Sequence, residues 1–204
     1  IFKDSMWACF YSNWRKNESI FVTLSKNVIS SKSLDNKIGV FIISQVLKRL
    51  SGVNEKSLDV HGVATVQEEV GHRGAYVCES KICPDLTISI DMDFATDVPN
   101  CQKTKYGDIA LGRGVVIHRS IDNDIPLTYT LEKLAKELNI KHQVSARSMP
   151  VGSTNAFVLQ QSQGGNKTIS LGIPCRYMHT PVEMCDINDV KSAIDLIYKY
   201  IINN

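Results

Sequence analysis

Short β-rich apolar runs alternate with runs of helical period along most of this 204-residue chain, and that alternation restricts the fold more than any single residue does. Residues 36–51, NKIGVFIISQVLKRLS, set Ile38, Phe41, Ile42 and Val46 at helical spacing and stop at Gly52. PLTYTLEKLAKELNI (126–140) carries Pro126 in its first turn and Leu127, Leu131, Leu134 and Leu138 on one stripe. DINDVKSAIDLIYKYII (186–202) places Val190, Ile194, Ile197 and Ile201 on one face, behind a cap at Asp186 or Asn188. HRGAYVCESKI (72–82), opened by Gly71, predicts a further helix. Between these, LDVHGVATVQ (58–67), RGVVIHRS, HQVSARS and KTISLGIP predict short strands. PDLTISIDMDFA starts at Pro84 and alternates Leu86, Ile88 and Ile90, which predicts a strand ending near Asp91. SQGGN (162–166) reads as a surface turn. Helices and strands in alternation predict an α/β fold whose sheet is covered by helices, with ligands at the carboxyl ends of strands.

A 43% hydrophobic and 22% charged composition suits one large globular domain. Net charge is only +2, so no basic excess argues for nucleic acid, and the expected partner is small or peptidic. No apolar run reaches the roughly 18 residues of a membrane span. The first residues, IFKDSMWACFYSNWRK, lack the basic-then-apolar pattern of a signal peptide. Six cysteines without a C-x-x-C pair predict buried, reduced thiols in a cytoplasmic protein.

Against this background the acids stand out. Glu68 and Glu69 lie side by side in TVQEEVGHRGA (65–75), directly after an apolar run. Asp35 precedes a helix, Asp91 ends a predicted strand, and His179 follows ISLGIPCRYM. Four segments thus deliver carboxylates and one imidazole to one expected edge of the sheet, a donor set suited to zinc, cobalt or manganese. Glu68 and Glu69 can share a centre only if the chain turns there, and Val70-Gly71 supplies the turn. Each residue also has a plainer reading. The glutamates form an exposed pair, Asp35 caps a helix, and His179 is a loop histidine. Asp91 is a strand-end acid, with Asp93 and Asp97 equal to it on composition.

Together SKSLDNKIG, TVQEEVGHRGA, ISIDMDFATDVP, YGDIALGRG and LGIPCRYMHTPVEMCDINDV, in that order from about Ser31 to Ile202, resemble the consecutive motifs of the tetrahedral and glutamyl aminopeptidases, a family of cocatalytic metallopeptidases. The resemblance implies a three-layer α/β/α sandwich with a mixed β-sheet, zinc-peptidase-like. It implies that residues 31–204 are a catalytic domain lacking its N-terminal strands, and that residues 1–30 are a remnant of the inserted β-barrel domain. It also implies two divalent metal ions, zinc or cobalt, with manganese as a third candidate. Asp35 would bridge them, Glu69 and His179 would complete the first, Asp91 would bind the second, and Glu68 would be the general base. The implied substrates are peptides that lose their N-terminal residue. Relatives build dimers and hollow particles through the inserted domain, so its loss argues against a family-like homo-oligomer here.

The chain also departs from the family's pattern. No H-x-D motif, the family's source of a histidine for the second ion, precedes Asp35. His61 is a poor substitute, about 26 Å from Glu69 if eight residues are extended at roughly 3.3 Å each. His72 is expected to be exposed near a helix start. Asn155 of GSTNA stands where the family often has aspartate. These departures leave a second reading, an inactive fragment or pseudoenzyme that binds a peptide or a partner subunit. A third, a two-carboxylate glycosidase, asks for acids about 5 to 9.5 Å apart across a sugar, which adjacent Glu68 and Glu69 do not supply. Both tryptophans lie near the N-terminus and offer no sugar platform.

Overall fold

The computed structural model describes residues 21–53, 58–146 and 154–204. In chain order the strands are β1 (Val22–Thr23), β2 (Val28–Ser31), β3 (Leu86–Phe94), β4 (Val115–His118), β5 (His142–Ser145), β6 (Lys167–Cys175) and β7 (Glu183–Asp186). The helices are α1 (Leu34–Leu50), α2 (Arg73–Ile82), the single-turn α3 (Lys103–Tyr106), α4 (Ile125–Glu137), the short α5 (Asn155–Leu159) and α6 (Ile187–Ile202). The central sheet runs β3-β6-β4-β5, and β1-β2-β7 form a second, smaller sheet. In the central sheet β3 pairs parallel with β6, β6 antiparallel with β4, and β4 parallel with β5, so the sheet is mixed.

Register explains the layers. Ile88, Ile90 and Met92 of β3 lie beside Ile169, Leu171 and Ile173 of β6, and Leu171 lies beside Ile117 of β4, which makes one face apolar. That face packs on Ile42 and Val46 of α1, Leu127 and Leu131 of α4, and Val190, Ile194 and Ile197 of α6. The opposite face presents Ser89, Asp91 and Asp93 beside Ser170, Gly172 and Pro174, and α5 approaches it with α2 packed behind. A period-two sequence in β3 therefore divides into an oily side and a side that carries Ser89, Asp91 and Asp93.

The α4 and α6 stripes fold as expected, and side chains settle their starts. Asp124 caps α4 by accepting from Leu127 N at 2.8 Å, with Pro126 in the first turn. Asp186, rather than Asn188, caps α6, accepting from Asn188 N at 2.7 Å. Phe41 and Leu138, read as members of their apolar stripes, are instead exposed.

Two strand expectations need correction. Residues 58–67 form no strand. They are β-prone but have no ladder partner among the described residues, and they lie on α1, where a Cβ on Gly62 would stand 2.4 Å from Leu47 Cδ1. Strand β3 does not end near Asp91 but continues to Phe94, because its ladder with β6 runs on to Cys175. The last residues of HQVSARS, from 147, and the first 20 of the expected barrel remnant lie outside the described residues. Cys175 and Cys185 are buried free thiols as expected, whereas Cys83 is exposed. Among the described residues no helix is long and apolar enough to cross a membrane.

Candidate metal centre

Asp35 sits at the start of α1 but does not cap it. Its ψ of 111° is not yet helical, and the Asp35–Asn36 peptide is cis. The cap is Asn36, whose Oδ1 accepts from Gly39 N at 2.8 Å while its Nδ2 donates to Ile90 O of β3 at 2.8 Å. Glycine is required at 39, since a Cβ there would stand 2.4 Å from Asn36 Oδ1. The plainer reading of Asp35 as a helix cap is thereby removed, and its carboxylate is free to face the cavity.

Glu68 and Glu69 ride on a compact turn with left-handed backbone at Gln67 (φ 60°), Gly71 (φ 110°) and His72 (φ 55°). The Glu68 carbonyl accepts from the amides of Gly71 (3.1 Å) and His72 (3.0 Å), and Val66 O accepts from Gly74 N at 3.0 Å. A Cβ on Gly74 would lie 2.5 Å from both Val66 N and O, so the turn closes only around glycine.

His179 follows β6 on a loop, itself left-handed (φ 64°). Its Nε2 lies 3.0 Å from Asp35 Oδ2 and 3.3 Å from Glu69 Oε1. The edge of Phe94 meets the imidazole, with ring centroids 6.0 Å apart. At the base of this loop Arg176 donates Nε to Asp97 Oδ1 (2.9 Å) and Nη2 to Asp97 Oδ2 (2.6 Å). Burial would raise the Asp97 carboxyl, but the bonds from Arg176 and the Leu111 amide outweigh it and hold it below the ordinary range.

Asp35, Glu69 and His179 bring one ligand atom each within 4.8 Å of one another. They fit a divalent ion well. Atoms held about 2.0–2.1 Å from a tetrahedral zinc are roughly 3.3 Å apart, which is the spacing observed around His179 Nε2. The three line a cavity of about 500 Å³ together with Lys32, Ser33, Thr180, Pro181 and Glu183.

Glu183 is a residue the sequence reading passed over. Only 2% exposed, it accepts from His179 N at 2.8 Å and from Asp35 N at 3.1 Å, tying two of the three ligand segments to β7. Its signal was an acid four positions after His179 at the edge of a strand, too common a pattern to read without the fold.

Asp91 is not part of the three-residue cluster. It lies within β3, 8% exposed, accepting from Met92 N at 2.8 Å. Burial, then the charges of Asp35 and Glu68, push its carboxyl up to about 8. Burial and the nearby Glu69 also lift Asp35 to about 6, against the pull of His179. Of the alternatives to Asp91, Asp93 faces His118 Nε2 at 3.7 Å and Asp97 is bound to Arg176. Glu68 is pushed up by burial, an effect His72 opposes and Glu69 and Asp35 reinforce.

His72 is not the exposed residue expected near a helix start. Its side chain is 15% exposed and its Nε2 lies 3.1 Å from Glu68 Oε1. His61 is exposed and sits on Asp59 instead. Asn155 makes a loop hydrogen bond, donating from Nδ2 to Thr65 Oγ1 at 3.1 Å.

The profile of the M42 glutamyl aminopeptidase family matches residues 16–196. The chain belongs to this family. It is 34% identical over 178 residues to the lysyl aminopeptidase of Pyrococcus furiosus, covering 86% of this chain and 49% of that protein. Among solved structures, the TET aminopeptidase of a marine-sediment Thaumarchaeota archaeon superposes with a TM-score of 0.84 at 29% identity, over 90% of this chain and 52% of that one. The TET1 peptidase of Pyrococcus horikoshii, which can assemble into a tetrahedron or a large octahedral shell, gives 0.75 at 26% identity, over 90% and 53%. The sandwich with its mixed sheet is thus the zinc-peptidase-like fold of these M42 proteins. The chain spans about half the length of the relatives it matches.

Proposed function

We propose that this M42 chain carries the metal centre of an aminopeptidase that removes N-terminal residues from peptides. The observation that supports it most is the convergence of Asp35, Glu69 and His179 from three separate segments onto one point, with Glu183 holding two of them. In this reading these three residues hold one divalent ion, zinc or cobalt by their donor chemistry, with manganese also compatible. Asp91, with Asp35, would hold a second ion. A bound divalent ion supplies polarisation of the scissile carbonyl and acidifies water. Glu68, beside the cluster, would take a proton from the attacking water and return it to the leaving amine. Residues 31–204 are the catalytic part in this reading, and residues 1–30 come from the inserted barrel domain.

One observation favours a second reading. Among the described residues Asp91 lies outside the three-residue cluster, which favours an inactive form that holds a single ion. Metal per chain after zinc or cobalt loading, measured with hydrolysis of aminoacyl anilides, separates the two. Turnover that falls at least about a hundredfold in Glu68→Gln, within the range of a lost general base, supports the peptidase. One ion or none, without Glu68-dependent turnover, supports the inactive form. Self-assembly, a property of the P. horikoshii relative, is likewise a proposal for this chain, tested by its mass in light scattering.

A further inference from the structure

His72 is placed oddly for the residue that opens α2. It holds the N-cap position in left-handed backbone, yet its side chain makes no capping bond. Glycine would meet the turn's need for positive φ with less strain, and serine, threonine or aspartate would cap better. The side chain instead reaches back to Glu68, Nε2 to Oε1 at 3.1 Å, with both groups largely buried. The backbone points the same way, because the His72 amide also donates to the Glu68 carbonyl at 3.0 Å. One residue therefore grips Glu68 at its main chain and at its carboxylate. A glutamate has three side-chain torsions, and a general base works only within hydrogen-bond reach of the proton it takes.

We propose that His72 is a positioning residue: its Nε2–H donates to Glu68 Oε1 and fixes the carboxylate in one orientation beside Asp35 and Glu69. This rests on the reading of Glu68 as the general base. A merely structural histidine would hold the turn and leave the orientation of Glu68 to chance.

The test compares His72→Leu with His72→Gln in the full chain loaded with cobalt, using aminoacyl anilides. Both variants pay the same left-handed backbone penalty, and only glutamine can donate to Glu68. His72→Leu is expected to lose about tenfold to a hundredfold in kcat, the scale of a misplaced reacting group, with KM within about twofold. His72→Gln should recover most of that loss. Equal losses in the two variants, or a change confined to KM, would overturn the proposal.

A second readout needs no turnover. Long-range proton–nitrogen spectroscopy of the metal-free chain should show a slowly exchanging Nε2–H on His72 that disappears in Glu68→Leu, and its survival there would overturn the pair. If the cobalt-loaded wild-type chain shows no turnover, the aminopeptidase reading fails, and the ring signal then decides the His72–Glu68 contact by itself.

Discussion

Asp91 and Asp35 hold their carboxyls at about 8 and about 6, chiefly through burial. An acid with a raised pKa in the fold gives up its proton more readily when the chain unfolds. Its contribution to stability is therefore greatest on the acid side and is lost as pH rises from near the ordinary carboxylate value of about 3.9 to the folded value. The metal-free chain is expected to melt at progressively lower temperature between about pH 4 and pH 8, with most of the slope above pH 6 removed in Asp91→Asn. Asp189, also raised to about 6 by burial despite its bonds to the Gly112 and Gly114 amides, adds a slope below pH 6 that Asp91→Asn leaves in place. Thermal unfolding across this range checks both statements. At the same scale, Glu183→Gln keeps one acceptor and turns an amide NH₂ toward a backbone N–H. Loss of such a supporting bond typically weakens metal binding about tenfold to a hundredfold, and competition with a chromophoric chelator measures it. Asp35, Glu69 and His179 could be singled out in the sequence because their chemistry and order match a family. Glu183 and His72 were not, because their roles consist of hydrogen bonds to chain segments that only the fold brings near.

At the scale of elements, α4 and α6 could be read directly: a stripe every three or four residues and an acid at the cap leave little else for them to be. The segment 58–67 misled because β-branched residues express only a preference, whereas a strand needs a partner, and the packing of Gly62 on α1 took precedence. The plainer alternative for Asp35, a cap on α1, falls to Asn36 one residue on, since Asp and Asn are both good caps and sequence alone cannot say which turns inward. This has a consequence for Gly39. In an ordinary helix interior Gly→Ala stabilises by roughly 0.5–1 kcal/mol. Here the new Cβ would meet Asn36 Oδ1 at 2.4 Å and displace the cap that straps α1 to Ile90. Gly39→Ala should therefore destabilise by about 1–3 kcal/mol and weaken metal binding as Asp35 moves. Urea denaturation gives the sign, and a stabilised variant would mean that Asn36 yields without carrying Asp35 with it.

For the molecule as a whole, Asp35, Glu69 and His179 belong to parts of the chain that unfolding separates, so an ion bound by all three binds the folded state alone. Its stabilisation then grows by about 1.4 kcal/mol per tenfold rise in free metal for each ion bound. That slope counts ions without any assay of turnover. Manganese is the better probe than zinc, because the six cysteines of the chain would bind zinc in the unfolded state and flatten the response, whereas manganese prefers oxygen and imidazole donors. The first ion should enter at the three-residue cluster and give a slope of about 1.4 kcal/mol per decade. At higher metal the slope should double to about 2.7 kcal/mol per decade if Asp91 and Asp35 complete a second position. Asp91→Asn should hold it at the single-ion value throughout, and His179→Ala should abolish the first step. A slope that never exceeds the single-ion value in the wild-type chain would mean that Asp91 and Asp35 do not complete a second position.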